Sequence, residues 1–181
     1  MKKNVSFREW SVIARVAGFE MCSGAEHCPD RVGRCKVTRN FEDVTLGQII
    51  QLSGIKDEAD VIQRVVGVMT GMSARDIGRA RAVDVVLYAA WVAGQVEKVN
   101  KLFAKLRPSY TAEEKQAGVE SLNFGLFGMV DAYARRMGIQ DHEQVMRTPW
   151  MVVYKCLEID YKTNQFERRL NRIAADKMKR R

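Results

Sequence analysis

From Thr45 onward, apolar residues recur at three- and four-residue steps, and most runs open on a capping residue or close on Gly or Pro. That spacing places the apolar side chains of a run on one helix face, and alternating strands cannot satisfy it. Thr45 suits an N-cap for Leu46 to Leu52, with Gly54 as the stop. Asp57 can cap a second helix carrying Val61, Ile62, Val65, Val66 and Met69. Ser73-Ala74-Arg75-Asp76 has the shape of a capping box, opening a short helix through Ile77. Asp84 then begins a long helix with Val85, Tyr88, Val92, Val96, Val99, Phe103 and Leu106 on one face, ended by Arg107-Pro108. Leu122, Leu126, Met129, Val130, Tyr133 and Met137 mark a further amphipathic helix closed by Gly138. A brief helix near Asp141 carries Val145 and Met146. Thr148-Pro149 opens a last helix through Trp150, Val153, Leu157 and Tyr161, then Phe166, Leu170 and Ile173. The rows before and after Asn164 do not share one stripe, so the second half is expected to face a different neighbour or a partner.

The expected fold is all-α: a compact domain of about six helices in two groups, with an irregular N-terminal arm. The arm covers residues 1–44, group one 45–107, a polar Pro- and Gly-bounded hinge 108–118, and group two 119–181. Within the arm, Ser6 can cap a helix through Val12, Ile13 and Val16, ended by Gly18, and Lys36–Phe41 alternates as a single short strand would.

The chain has 181 residues, 46% hydrophobic and 29% charged, which suits a globular domain. No run approaches the roughly 18 apolar residues of a membrane span, and Phe7-Arg8-Glu9-Trp10 breaks the opening as no signal peptide would. Four unevenly placed cysteines argue for a reducing cytosol and not for an exported disulfide framework. The net charge is +8, and the end of the chain concentrates it: Arg168, Arg169, Arg172, Lys177, Lys179, Arg180 and Arg181 stand against Glu167 and Asp176. Such a patch attracts nucleic acid or an acidic protein surface, or simply complements a helix C-terminus.

Catalytic motifs are missing: there is no phosphate-binding Gly-rich loop, no H-E-x-x-H and no G-x-S-x-G. The two histidines, His27 and His142, lie far apart, and a cysteine paired with either would meet it only in the fold. A non-enzymatic protein without a cofactor is therefore expected. Cys22, His27, Cys28 and Cys35 are weak candidates for zinc, because their spacing lacks the short Cys-x2–4-Cys knuckle and adjacent His27 and Cys28 would strain a common centre. No metal is expected there. Trp150, Met151 and Tyr154 suit anchors of a binding surface, against the plainer reading that Trp150 packs its helix onto the preceding one. With Phe166 and the seven terminal cations they form the expected partner-binding set.

Two segments together resemble bacteriophage tail assembly chaperones, the small helical proteins that escort the tail tape-measure protein. The first is Val44-Thr45-Leu46-Gly47-Gln48-Ile49-Ile50, continued by Thr70-Gly71-Met72-Ser73-Ala74-Arg75-Asp76-Ile77. The second runs from Asn123-Phe124-Gly125-Leu126-Phe127-Gly128 through Met137-Gly138-Ile139 and His142-Glu143-Gln144-Val145 to Thr148-Pro149-Trp150. The resemblance covers roughly residues 44–161, leaving out the arm and the basic tail. It implies a protein of the host cytoplasm, or of the virion, that binds a long helical tape-measure protein until it is built into the tail. Nine methionines offer the adaptable apolar surface such a role needs. A virion or nucleic-acid-associated protein using the basic helix, and a helical adaptor, stay open as alternatives, as does a homo-oligomer.

Overall fold

The computed structural model describes residues 5–17, 27–55, 60–106, 110–122 and 124–179, with the backbone alone at 15–17, 120 and 179. Gly18, Cys22, Asp57, Arg107-Pro108, Asn123, Arg180 and Arg181 lie outside the described residues, and so do the readings that rest on them.

The fold is all-α. Among the described residues nine α-helices run in chain order: α1 Phe7–Ala17, α2 Leu46–Ser53, α3 Val61–Thr70, α4 Ala74–Arg79, α5 Ala82–Ala104, α6 Ala112–Gln116, α7 Gly125–Met137, α8 His142–Met146 and α9 Trp150–Lys179. The caps read from the sequence hold these starts. Thr45 and Gln48 form a full capping box on α2, Ser73 accepts from the Asp76 amide at α4, and Gly71 and Gly138 close α3 and α7 in the left-handed conformation. Helix α5 begins two residues before Asp84, its amide lead-in set by Arg81. Inside 108–118, Thr111 and Glu114 build a second full capping box and start α6.

A single strand at Lys36–Phe41 is not what forms. Instead β1 Arg31–Val32 pairs antiparallel with β2 Cys35–Lys36, joined by Gly33-Arg34. Gly33 has φ 57°, the conformation a two-residue hairpin turn demands at its first central position. Residues 41–43 form a 3-10 turn. The irregular arm packs onto the helical body: Phe7, Cys28, Val32, Val37, Phe41 and Val44 belong to the same buried cluster as Val92, Val130 and Val153.

Two short backbone bridges tie distant helix starts together. Ser6 pairs with Arg81, so the Phe7 amide donates to the Ala80 carbonyl (2.8 Å) and the Ala82 amide to the Val5 carbonyl (3.0 Å). Thr45 pairs with Pro149, with Leu46 donating to Thr148 (2.8 Å) and Trp150 to Val44 (2.9 Å). Each bridge satisfies amides that a helix start leaves without an intrahelical acceptor. The second also brings the two segments that carry the family resemblance into direct contact. A Cβ on Gly47 would lie 3.0 Å from the Met146 carbonyl oxygen, so a glycine there lets α2 approach α8.

Helix α5 is the central element, burying Val85, Tyr88, Trp91, Val92, Val96 and Val99 against α1, α2, α3 and β1. Among the described residues, no helix is long and apolar enough to cross a membrane.

Candidate partner-binding surface

The first turns of α9 are core. Trp150 is 4% exposed and Tyr154 7%, and both rings pack on Phe103 at centroid distances of 6.2 and 5.4 Å. Met151 is half-buried against the same cluster. Trp150 and Tyr154 therefore do not form the expected partner-binding surface. The Thr45–Pro149 bridge draws the start of α9 onto the body, and the Trp150 indole donates 2.7 Å to the Phe41 carbonyl, which fixes the ring inward. The plainer reading of Trp150, a packing residue, is the one observed.

The distal half of α9 behaves differently. Beyond Tyr161, every residue with a described side chain is exposed except the half-buried Gln165. Phe166 (58%), Leu170 (53%) and Ile173 (54%) lie open to solvent. They continue a row that starts earlier than Asn164, at the exposed Val152 and Ile159. Helix α9 thus carries two apolar rows on opposite faces, and no switch of row occurs at Asn164. Of the basic residues, Arg168, Arg169, Arg172 and Lys177 are exposed. Arg168 pairs with Glu114 of α6 at 3.0 Å, tethering the distal helix to the body. Arg168 and Arg172 share one side by their four-residue spacing, while Arg169 and Lys177 point elsewhere, so these cations surround the helix.

Between the end of α5, α7 and α9 lies an open cleft of about 830 Å³. Phe103, Leu106, Met129 and Leu157 give it apolar walls. Asp160, Asn164, Gln165, Glu167, Arg168 and Asn171 form a polar rim along α9. Gly128 opens one wall, since a Cβ there would come within 2.7 Å of the Phe124 Cβ. Beside it, Leu122 (62%), Phe124 (68%), Leu126 (53%) and Phe127 (65%) crowd the entry to α7, all exposed. Clusters of large exposed apolar side chains of this kind mark interaction surfaces more often than chance scatter does. The composition of the α7 start pointed to this patch only as part of a helix row; its exposure depends on what α7 leaves uncovered.

The titratable groups nearby are surface pairs. The Arg135 hydrogen bond holds the Asp131 carboxyl below the usual carboxylate range, with His142, 3.6 Å away, adding to it. His142 also meets the Phe127 ring edge-on at 5.2 Å. Arg136 of α7 pairs with Asp160 of α9. In the arm, His27 is exposed while Cys28 is buried, and burial pushes the Cys28 thiol up, partly offset by Arg39. Cys28, Cys35 and Cys156 are free thiols. Among the described residues no three His, Cys, Asp or Glu side chains converge as metal ligands do.

No family model matches the chain, and neither a curated protein nor a solved structure matches it.

Proposed function

We propose that this is a non-enzymatic binding protein that lays an amphipathic helix of a longer partner into the α5–α7–α9 cleft. The observation that carries this reading is the cleft itself, with Phe103, Leu106, Met129 and Leu157 as walls. A helix-in-groove complex uses such a trough, with apolar anchors spaced three and four residues apart. Together with the resemblance of residues 44–161 to tail assembly chaperones, it supports a holdase for the tape-measure protein during phage tail assembly. The exposed cations of distal α9 steer an acidic partner toward the cleft and raise the association rate.

The test is co-expression with a phage tape-measure protein. The complex is expected to co-purify and to survive raised salt, since apolar capture outlasts screening. Met129→Glu and Ala132→Glu, which place charge on the α7 wall, should return the partner to the insoluble fraction while the variant itself stays folded. Steeply salt-dependent binding to duplex DNA with no protein capture would replace this reading by the nucleic-acid one.

A further inference from the structure

We infer that α9 is also a self-association element, pairing in parallel and in register with α9 of a second copy of this chain. Val152, Ile159, Phe166 and Ile173 stand at strict seven-residue intervals, and all four are 46–58% exposed. Leu170 (53%) and Thr163 lie beside them, four residues before or after a member of the row, so a seam of heptad period runs down the back of the helix. Val153, Tyr154 and Leu157 hold α9 to its own body from the opposite face, while Cys156, partly buried against the core, bounds the seam at its N-terminal end. Two copies joined along the seam would therefore place their bodies on the outer sides of a twofold axis, where they do not collide.

Charge selects the occupant and the direction. One flank of the seam carries Lys155, Lys162 and Arg169, then Asp176; the other, which also borders the cleft, carries Asp160, Glu167 and Ala174. In a parallel two-stranded coiled coil, a flanking residue meets the opposite-flank residue five positions further along the other chain. Lys155 then faces Asp160 of the second copy, Lys162 faces Glu167, and Arg169 faces the neutral Ala174. An antiparallel pair would set the basic flank against itself. Within one chain, Lys155 and Lys162 both reach Glu158, at 3.2 and 2.9 Å, and Arg136 holds Asp160. Such exposed pairs are weak and readily exchanged. Lys162 with Glu167 is thus the more decisive cross-chain contact. The exposed seam from Ile159 to Lys177 is between two and three heptads, about 28 Å long at the helical rise. So short a coil gives a concentration-dependent dimer.

Sedimentation velocity on the full chain, from low micromolar to several hundred micromolar, tests this. The expected result is a monomer–dimer equilibrium abolished by Phe166→Glu. Lys162→Glu or Glu167→Lys alone should raise the midpoint concentration about tenfold, because two symmetry-related attractions become repulsions. The double exchange Lys162→Glu/Glu167→Lys should restore it. All three side chains are exposed, and circular dichroism should show each variant as helical as the parent. A chain that stays monomeric throughout overturns the proposal. So does association that Phe166→Glu leaves intact, that Lys162→Glu strengthens, or that the double exchange fails to restore. None of these outcomes depends on the cleft binding a partner.

Discussion

The Trp150 indole nitrogen donates a 2.7 Å hydrogen bond to the Phe41 carbonyl, across a separation of 109 residues. Both residues are buried, and Phe41 meets Trp91 of α5 edge-on at 5.8 Å. The bond therefore links the start of the last helix, the segment before α2 and the central helix. Trp150→Phe keeps an aromatic ring but leaves the Phe41 carbonyl with only the Val44 amide, at 3.3 Å. It should cost about 0.5–1.5 kcal/mol in urea unfolding, the net worth of one hydrogen bond, and Trp150→Ala, which also opens a cavity, about 3–5 kcal/mol. Loss of less than half a kilocalorie in Trp150→Phe would mean that the Val44 amide or water satisfies the carbonyl.

Gly47→Ala tests the second bridge. On helix propensity alone, alanine should stabilise α2 by up to about 1 kcal/mol. The new Cβ, however, would press on the Met146 carbonyl oxygen at 3.0 Å and the Met146 Cβ at 3.4 Å. Backbone on both sides is fixed by the Leu46–Thr148 and Trp150–Val44 bonds, so it cannot give easily. Net destabilisation of about 1 kcal/mol is expected, in the range of modest overpacking. A stabilised variant would show that α2 and α8 can slide apart.

The sequence made the long helices legible because a persistent three-to-four-residue period leaves little choice. The caps at Thr45, Ser73 and Gly138 were legible too, since capping is chemistry within four residues. What was hidden is non-local. Thr45 and Thr148-Pro149 read as separate helix starts, and nothing in either segment says that they pair. The same blindness placed Trp150 and Tyr154 among surface anchors: a ring at a helix start looks alike whether its neighbour is solvent or Phe103. Val152 and Ile159, interleaved with core residues, are not singled out by the period of the last helix, and only their exposure separates them from Val153 and Leu157. In the arm, Gly33 held the hairpin signal, but two-residue strands are too short for an alternating pattern to register.

Alkaline pH should weaken the fold through Cys28 and Tyr88. Burial raises the thiol of Cys28 and the phenol of Tyr88, and in both the neutral form is the one the core accepts. Between the unfolded and folded values, the unfolded chain has lost a proton that the folded chain keeps. Stability is thus fully present below the ordinary thiol range, near pH 8.5, and falls as pH rises through the folded values. Urea midpoints measured from pH 7 to 10.5 should decline, and Cys28→Ala should flatten the first part of the decline. The same burial should make Cys28 react with a thiol reagent only after denaturant is added. A thiol labelled rapidly in the native protein would contradict its place in the core.

Truncation after Asn164 separates what folds the chain from what its last helix presents. The last buried side chain is Tyr154, and Leu157 is the last hydrophobic residue packed against the core. Among the described residues removed, only Gln165 is even half-buried. The ion pair lost, Arg168 with Glu114, has side chains 44% and 35% exposed, and such pairs contribute at most about 1 kcal/mol. A melting temperature within about 4 °C of the full chain is therefore expected for a protein of this size. The truncation also removes Phe166, Leu170 and Ile173 from the back seam and Gln165, Arg168 and Asn171 from the cleft rim. Self-association should disappear, and capture of a helical partner should weaken mainly through a slower association rate, because the steering cations go with the segment. If the shortened chain unfolds instead, the distal helix supports the core, and the assignment of its outer face to a second copy loses its physical basis. If it folds and still dimerises, the seam through Phe166 is not what joins two copies, and the self-association proposal is overturned.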